Sequence, residues 1–371
     1  MNKLFSYLTI FSFLLSFFSF STIINAQTKF RPSEKDYKNA DKLLKKMSLD
    51  EKIGQLVHIG INADFINQDS AEFQRLKRQI TENKVGGITI FVGGVYETVH
   101  LVNRMQEAAK IPLLISADFE TGVRMRFSDA VNFPWNMAVA ATGNPEFAKR
   151  MGMITAREAR TMGVQQDFAP VVDVNNNANN PVINVRSFGE NPADVARFGI
   201  AFVEGLQSGN VLATIKHFPG HGDTAIDSHR GLPVIDYSRE RFEQTEFVPF
   251  RSLINSGAGS VMISHISMPQ LDSEIVKPLK NSIKAEYTED EVITENTTIP
   301  ATLSKNIVTG ILKNDMKFDG LIVTDAMDMS GLTKYFQQDE AAVRAILAGN
   351  DVLIKPASAD DTIRGIEEAV N

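Results

Sequence analysis

The segment Lys216–Pro233 reads KHFPGHGDTAIDSHRGLP, and it decides how the rest of the chain is interpreted. It directly follows Val211–Ile215 (VLATI), a run of apolar and β-branched residues that is typical of a buried parallel strand. Its closely spaced glycines and prolines prevent a helix and indicate a shaped loop. α/β enzymes place their chemistry on loops at the C-terminal ends of parallel strands, so this loop is the first candidate for a functional site.

Segments typical of strands and of helices alternate along the chain outside this loop. The predicted strands are Leu56–Ile61, Gly87–Val92, Leu113–Asp118, Val164–Val174, Val211–Lys216, Ser260–Ile266, Leu321–Asp325 and Asp351–Ile354. The predicted helices include Glu72–Asn83, Val95–Lys110, Pro145–Met162, Asp194–Ser208, Arg239–Asn255, Ser304–Lys313 and Glu340–Ala348. This alternation predicts the α/β class and a (β/α)8 TIM-type barrel in a single catalytic domain. An open, doubly wound sheet has the same alternation, since periodicity does not report closure.

The N-terminal residues have the pattern of a secretory signal peptide. Lys3 precedes an uncharged apolar stretch, Leu4–Ile24, and Ala26 offers a small residue at the expected cleavage point. A retained membrane anchor is the alternative, because the stretch is long enough to span a bilayer. We expect residues 1–26 to be a signal peptide and residues 27–371 to form the catalytic domain. The protein would then be periplasmic or extracellular, with no stable membrane insertion after cleavage.

Composition limits the possible partners. The chain is 43% hydrophobic and 22% charged, which is typical of a globular protein, and its formal charge of −7 discourages binding to nucleic acid or anionic lipid. There is no cysteine, so disulfides and thiolate metal sites are excluded. Residues 270–300, between the sixth strand and its helix, are polar and acidic, which predicts either an insertion over the barrel mouth or a partly disordered excursion. No second domain is predicted, and the oligomeric state does not follow from the sequence.

Charged residues stand at the ends of several predicted strands. They are Asp118 and Glu120 at the third strand, Asp167 and Asp173 in the fourth, Lys216 and His217 at the fifth, His265 at the sixth and Asp325 at the seventh. In a barrel these positions meet at the active-site face. Asp167 and Asp173 are equally well explained as ion pairs of Arg186 or Arg160. The joint pattern nevertheless predicts one site.

Four motifs resemble those of glycoside hydrolase family 3. They are KHFPGHGDTAIDSHRGLP itself, ADFETG around Asp118, NVRSFG around Arg186 and TDAMDM around Asp325. Within the family, the pattern is similar to that of bacterial β-N-acetylhexosaminidases that act on peptidoglycan fragments, over most of residues 45–371. The resemblance implies a (β/α)8 barrel and a retaining β-glycosidase that needs no metal and no other cofactor.

The resemblance also implies a role for each matching residue. Asp325 corresponds to the catalytic nucleophile, His229 to the general acid/base and Asp227 to the aspartate paired with it. The substrate-binding positions are Asp118 for the distal hydroxyls, Arg186 near the N-acetyl group, and Lys216 and His217 for other hydroxyls of the same sugar. Thr121 departs from the usual D-x-E-G-G pattern, and this change affects loop shape and outer-subsite preference more than catalysis.

Retaining glycoside hydrolysis fits these residue types. It needs a carboxylate that attacks the anomeric carbon and an acid that protonates the leaving oxygen. Asp325 is a short carboxylate at a strand end, and the imidazole of His229 titrates near neutral pH beside Asp227, which favours the protonated ring. The sequence therefore predicts an exported retaining β-N-acetylglucosaminidase. Its substrates would be glycans or muropeptides that contain terminal N-acetylglucosamine.

Three other residues have interpretations of their own. His221 is expected to shape the loop by bonding the backbone, and His265 to be a hydrogen-bonded histidine at a strand end. Trp135, the only tryptophan, either stacks on a sugar or packs in the core.

Other functions use the same residues differently. The histidines 217, 221, 229 and 265 with Asp325 could ligate a metal, as in a metal-dependent barrel amidohydrolase. Such sites commonly begin with a His-x-His pair on the first strand, where this chain has only His58, and Lys216 would place a positive charge beside the metal. A family-3 β-glucosidase is the alternative among glycosidases. A catalytically inactive sugar-binding module is disfavoured, because candidates for both the nucleophile and the acid are present.

Overall fold

The computed structural model describes residues 32–279 and 297–371. The predicted signal peptide, residues 1–26, lies outside the described residues, as does the middle of the predicted insertion. The two ends of that insertion pair as a short antiparallel ribbon, Ile275–Val276 with Thr297–Thr298. Within the described ranges, no helix has both the length and the apolar character needed to cross a membrane.

Eight parallel strands form the body of the molecule. They are β1 Val57–Ala63, β2 Gly87–Gly93, β3 Leu114–Ala117, β4 Gln166–Asp167, β5 Leu212–Phe218, β6 Ser260–Ile263, β7 Leu321–Thr324 and β8 Leu353–Ile354. They are hydrogen-bonded in the order β8-β1-β2-β3-β4-β5-β6-β7. A parallel bridge between Val323 and Val352 brings β7 beside the segment that enters β8, so the sheet is nearly closed. The predicted (β/α)8 barrel is confirmed.

Helices cover the outside of the barrel. They are Glu34–Leu44, Leu49–Gln55, Ala71–Thr81, Val95–Ala108, Asn136–Ala140, Pro145–Thr161, Pro192–Ser208, Arg239–Gln244, Phe247–Ser256, Ser330–Thr333, Gln338–Ala348 and Ala359–Val370, with a π-helix at Asn306–Asp315. Short 3₁₀ turns lie at Val123–Met125, Asn184–Arg186 and Ala301–Leu303. Side-chain caps fix several helix starts. At the second helix, Ser48 Oγ accepts from the Glu51 N–H and the Glu51 carboxylate accepts from the Ser48 N–H, which is a capping box.

The fourth strand is much shorter than predicted. The run Val164–Val174 is apolar enough for a long strand, but only Gln166–Asp167 pair as strand residues. Pro170 has no N–H to donate to a neighbouring strand, so the regular ladder stops before it. After Pro170, a single bridge joins Val171 to Lys216.

The predicted helix Arg239–Asn255 is two helices. The first ends at Gln244 and the second starts at Phe247. Pro249 is tolerated only in the first turn of a helix, so a helix must begin just before it. The carboxylate of Glu246 at this junction is buried and paired with Arg241, 2.8 Å away.

The inside of the barrel has a polar layer and an apolar layer. In the polar layer, Gln166 donates to Thr214 Oγ1 at 2.9 Å, and Thr89 and Ser116 exchange a hydrogen bond of 2.9 Å. The apolar layer consists of Phe168, Met262, Val323, Val352 and Ile354. Phe168, Met262 and Ile354 also line the cavity at the carboxyl end of the barrel, so this layer forms the cavity floor.

Candidate active site

The candidate active site is a cavity of about 240 Å³ at the carboxyl ends of the barrel strands. Its charged and titratable lining residues are Asp118, Glu120, Arg126, Arg186, Lys216, His217, His221, His229 and Asp325. The cavity thus collects charged and titratable side chains from the end of β5 and from the loops that follow β3, β4, β5 and β7. Six of the seven residues predicted for catalysis or substrate binding line it directly, and Asp227 binds one of them, His229.

A network of buried charges forms one wall. Lys216 Nζ lies 2.7 Å from Asp118 Oδ1 and 2.7 Å from Glu120 Oε1. The guanidinium of Arg186 donates two hydrogen bonds to the Glu120 carboxylate, at 2.9 and 2.7 Å, and Arg126 binds the second oxygen of Asp118. Burial alone would lower the pKa of Lys216, but the two carboxylates raise it above its ordinary value. The lysine is therefore charged, with donors and acceptors fixed around it.

Removing one carboxylate from this network should destabilise the fold strongly. Glu120→Gln leaves Lys216 and Arg186 buried without their shared counter-charge, so we expect a loss of about 3 kcal/mol in the free energy of unfolding. Denaturant unfolding at neutral pH measures it. Glu72→Gln is the matched control, because it breaks an exposed pair with Arg75 and should cost less than about 1 kcal/mol. Equal losses in the two variants would contradict a structural role for the buried network.

His217 is held by a buried aspartate beside this wall. Asp173 Oδ2 lies 2.7 Å from the His217 Nδ1, and Asp173 Oδ1 accepts from the His221 N–H at 2.7 Å. Burial would raise the pKa of Asp173, but His217 and the hydrogen bonds lower it, so the carboxylate is ionised and Nδ1 carries the proton. The His217 Nε2 lies 3.5 Å from a guanidinium nitrogen of Arg186. Of the two explanations left open for Asp173, the ion pair with an arginine is wrong, since its side-chain partner is His217.

Asp227 and His229 form a pair on the loop that follows β5. Asp227 Oδ1 accepts from the His229 N–H at 2.9 Å and from the His229 Nδ1–H at 2.7 Å. This hydrogen bond from His229 lowers the pKa of Asp227 to about 2. The same bond, together with the charge of Asp325, raises the pKa of His229. The His229 side chain is 63% exposed, and Nε2 is the ring nitrogen able to exchange a proton with a ligand.

Asp325 lies directly after β7. Its N–H donates to the Ile263 carbonyl at 2.8 Å, and its Oδ1 accepts from the Ala326 N–H at 2.7 Å, so the backbone fixes the carboxyl group. Burial would raise the pKa of Asp325, but His217, His265 and the Ala326 N–H lower it below its ordinary value. The result is a rigid, ionised carboxylate in the same cavity as His229.

Comparison with known proteins gives the family. Residues 48–371 match the family described as "Glycosyl hydrolase family 3 N terminal domain". The chain belongs to glycoside hydrolase family 3. The family resemblance predicted from the four sequence motifs is therefore confirmed.

Several known proteins are similar over most of the chain. It is 36% identical to a protein named Beta-hexosaminidase A from Pseudoalteromonas piscicida, over 76% of this chain and 47% of that protein. It is 31% identical to a Beta-N-acetylglucosaminidase/beta-glucosidase from Cellulomonas fimi, over 86% of this chain and 53% of the relative. The structure of a family-3 β-N-acetylglucosaminidase from Paenibacillus sp. str. FPU-7 has a TM-score of 0.74 and 35% identity, covering 87% of this chain and 59% of that one. The chain thus spans about half the length of these two curated relatives.

The two remaining histidines near the family-3 site have structural partners. His221 Nδ1 lies 2.8 Å from Thr224 Oγ1 and its Nε2 lies 3.1 Å from Ser228 Oγ, so it shapes the loop through hydroxyls rather than through the expected backbone bonds. Burial lowers the pKa of His221 to about 4. The His265 ring bonds the Thr302 hydroxyl at 2.7 Å and the Ala326 carbonyl at 3.0 Å, which confirms it as a hydrogen-bonded strand-end residue.

The hydrogen bonds of the histidines argue against the metal-dependent amidohydrolase alternative. Both ring nitrogens of His265 are already bonded, and the His217 Nδ1 is bonded to Asp173. Across residues 32–279 and 297–371, no three His, Asp or Glu side chains are arranged to hold a metal ion. The described residues therefore do not fit the ligand set that this alternative requires.

Sequence reasoning missed Arg126 and misjudged Trp135. Arg126 binds Asp118 and lines the cavity, and its position in the loop after β3 is the signal that could have found it. Trp135 is 41% exposed, so the core-packing interpretation is wrong, and it is not among the residues that line the site cavity. The adjacent Asn136 donates to the Arg186 carbonyl at 2.7 Å, so this segment supports the arginine.

Asp167 is a buried acid beneath the charged wall. Its Oδ1 accepts from the Phe119 N–H at 2.9 Å, so its partner is a backbone group and not Arg186 or Arg160. Its Oδ2 has no hydrogen-bond partner within the described part of the chain. Burial raises the pKa of Asp167 to about 8. The carboxyl group is therefore protonated at neutral pH, and it fixes the backbone at Phe119, between Asp118 and Glu120.

Asp167 should make stability depend on pH. Between pH 4 and pH 8 the folded chain keeps a proton that the unfolded chain releases, so this residue's contribution to stability falls as pH rises. Asp167→Asn removes the titration and keeps an oxygen for the Phe119 N–H. The stability of the variant relative to the natural chain should therefore increase between pH 5 and pH 7, by on the order of 2 kcal/mol. Denaturant unfolding at the two pH values measures it, and a difference that does not change with pH would contradict the assignment.

Proposed function

We propose that this family-3 protein is an exported retaining β-N-acetylglucosaminidase that removes terminal β-linked N-acetylhexosamine, with peptidoglycan fragments as its substrates. The observation that carries the proposal is the presence of an ionised Asp325 and an Asp227-paired His229 in one cavity. A retaining glycosidase needs a carboxylate nucleophile and an acid, and the lowered pKa of Asp325 and the raised pKa of His229 favour these two roles. The names of the relatives from Pseudoalteromonas and Paenibacillus, a β-hexosaminidase and a β-N-acetylglucosaminidase, support the choice of sugar.

The proposed reaction has two steps. In the first, a carboxylate oxygen of Asp325 attacks the anomeric carbon, while His229 Nε2–H gives its proton to the leaving glycosidic oxygen, forming a glycosyl-enzyme and a neutral imidazole. In the second, the neutral His229 takes a proton from a water molecule as that water attacks the anomeric carbon. The bond to Asp325 breaks, the sugar leaves with its configuration retained, and both side chains return to their starting states.

The charged wall supplies the groups that would bind the sugar. Lys216 and Arg186 offer donors, and Asp118 offers acceptor oxygens, all fixed by the network before a ligand arrives. Hydroxyl groups both donate and accept, so this alternation suits a sugar ring. We assign Asp118 to the distal hydroxyls, Arg186 to the N-acetyl side, and Lys216 and His217 to the remaining hydroxyls.

Two comparisons of substrates test the preference for N-acetylglucosamine and the assignment of peptidoglycan fragments as substrates. Turnover of nitrophenyl β-N-acetylglucosaminide should exceed that of nitrophenyl β-glucoside in kcat/KM. The opposite preference would favour the β-glucosidase alternative. The name of the Cellulomonas relative includes both activities, so the comparison is needed. Release of N-acetylglucosamine from a purified disaccharide–peptide fragment, measured against chitobiose, tests the peptidoglycan assignment. Cleavage of chitobiose alone would overturn it.

Export is tested by the N-terminus of the protein recovered from its host. The uncharged stretch Leu4–Ile24 before Ala26 supports cleavage there. Mass spectrometry of the protein from the periplasm or medium should find a chain that begins at Gln27. A chain that retains Lys3 in the membrane fraction would contradict the proposal.

Metal removal should leave the activity unchanged. The reaction above uses only a carboxylate and an imidazole, and both ring nitrogens of His265 are engaged by other groups. Hydrolysis of nitrophenyl β-N-acetylglucosaminide is measured before and after dialysis against a chelator. Loss of activity that zinc restores would favour metal-dependent chemistry instead.

A further inference from the structure

A second cavity lies beside the barrel mouth, between the loop after β1 and the helix after β2. Its volume is about 380 Å³, and its floor includes the buried side chains of Phe73 and Leu101. On its rim are Phe65 and Tyr96, which are 83% and 71% exposed. β1 and β2 run parallel to β7, so these rim residues lie at the same end of the barrel as Asp325.

A shallow depression joins this cavity to the candidate active site. Asp64 and Ile66 line both the second cavity and the depression, and Phe91 lines both the depression and the active-site cavity. Lys355 Nζ lies 4.6 Å from the centre of the Phe91 ring, and the guanidinium carbon of Arg126 lies 5.5 Å from it. We call the second cavity and the depression together the outer groove. A ligand longer than the active-site cavity can continue over Phe91 into it.

The outer groove combines exposed aromatic rings with hydrogen-bonding groups. The Tyr96 ring meets the His100 imidazole edge to face, with centroids 5.4 Å apart. The carboxylates of Asp64 and Glu97 and the guanidinium of Arg104 also line the cavity. Large aromatic side chains exposed in a concave surface mark a binding site, and polar groups around them set its specificity. A sugar ring offers an apolar face to aromatic rings and hydroxyls to the groups at its edge.

We propose that the outer groove binds further sugar rings of a glycan chain whose reacting residue occupies the active-site cavity. The inference rests on the proposed function, and it adds a preference for substrates longer than one sugar. A purely apolar ligand would use the aromatic rim but leave the polar edge of the groove unmatched. The continuity through Phe91 favours one chain in both cavities over two independent ligands.

The test compares binding of long and short sugars. The protein carries Asp325→Asn so that the ligands are not hydrolysed, and isothermal titration measures affinity for chitotetraose and for N-acetylglucosamine. We expect chitotetraose to bind at least about ten-fold more tightly than the monosaccharide. Adding Phe65→Ala and Tyr96→Ala should remove this advantage and leave monosaccharide affinity unchanged, because both side chains are exposed and lie outside the active-site cavity. Phe147→Ala, an exposed aromatic on the helix Pro145–Thr161, is the matched control and should change neither affinity.

Two results would overturn the proposal. One is a chitotetraose advantage that is absent, or that survives the double substitution. The other is a muropeptide that binds more tightly than its own disaccharide, with an advantage that Phe65→Ala and Tyr96→Ala remove, while chitotetraose binds no more tightly than the monosaccharide. The groove would then bind peptide. Failure of the proposed function is a separate outcome. It would appear as no turnover of nitrophenyl β-N-acetylglucosaminide by the natural chain, whatever the two aromatic residues do to binding.

Discussion

Asp325→Asn is expected to lower the kcat for nitrophenyl β-N-acetylglucosaminide by about 10³- to 10⁵-fold. An amide oxygen is a poor nucleophile, so the glycosyl-enzyme should form very slowly, while the remaining sugar-binding groups stay in place. The amide can still accept the Ala326 N–H through its oxygen, so the local backbone should be unchanged. Steady-state kinetics with a denaturation curve for each variant measures the effect.

Asp328→Asn is the matched control for this loss. Asp328 lies three residues further along the same loop, and its carboxylate pairs with Lys355 at 2.7 Å. Its substitution removes a charge of the same sign near the barrel mouth without touching the proposed nucleophile, so the kcat should change by less than about ten-fold. Similar losses in both variants would show that charge near the mouth, rather than nucleophilic attack, explains the effect.

His229→Ala should slow the cleavage of each substrate to the extent that its leaving group needs a proton. A sugar alcohol needs protonation as it leaves, whereas dinitrophenolate does not. We expect kcat/KM for chitobiose to fall by about 10²- to 10⁴-fold and kcat/KM for the dinitrophenyl glycoside to fall by less than about ten-fold. The measurement is the ratio of the two values in the natural chain and in the variant.

Asp227→Ala is the companion variant. The imidazole of His229 remains, but it loses the 2.7 Å hydrogen bond that orients it and raises its pKa. The same selective pattern should therefore appear more weakly. An equal loss on both substrates in His229→Ala would mean that this histidine binds the sugar and that the proton comes from another group.

The barrel could be predicted from the sequence because each strand is a short apolar run that ends at a turn signal. All eight predicted strands are present, and most of their bounds differ by only a few residues. The long prediction around Gln166–Asp167 failed because Val171, Val172 and Val174 are buried without forming a regular strand, and hydrophobicity does not separate a buried strand from a buried irregular segment. The break before Phe247–Ser256 is marked by Pro249, but the amphipathic pattern runs across it, so periodicity alone predicted one helix.

The residues of the site could be predicted from the sequence, but the hydrogen bonds and ion pairs between them could not. The loop after β5 and the aspartate after β7 carry motifs, and a barrel brings strand ends together, so Asp325 and His229 could be placed at one face. Which carboxylate pairs with which base depends on side-chain directions at a crowded mouth. Sequence spacing therefore could not show that Asp173 holds His217, or that Glu120 links Lys216 to Arg186.

Trapping the glycosyl-enzyme tests the central claim most directly. A 5-fluoro N-acetylglucosaminyl fluoride keeps the N-acetyl group, and its ring fluorine slows both steps by destabilising the positively charged transition state, while its good leaving group lets the first step proceed. Mass spectrometry of the digested protein should find one sugar on the peptide that contains Asp325, and no label in Asp325→Asn. A label on another carboxylate, or turnover of the inhibitor without any covalent adduct, would contradict Asp325 as the nucleophile.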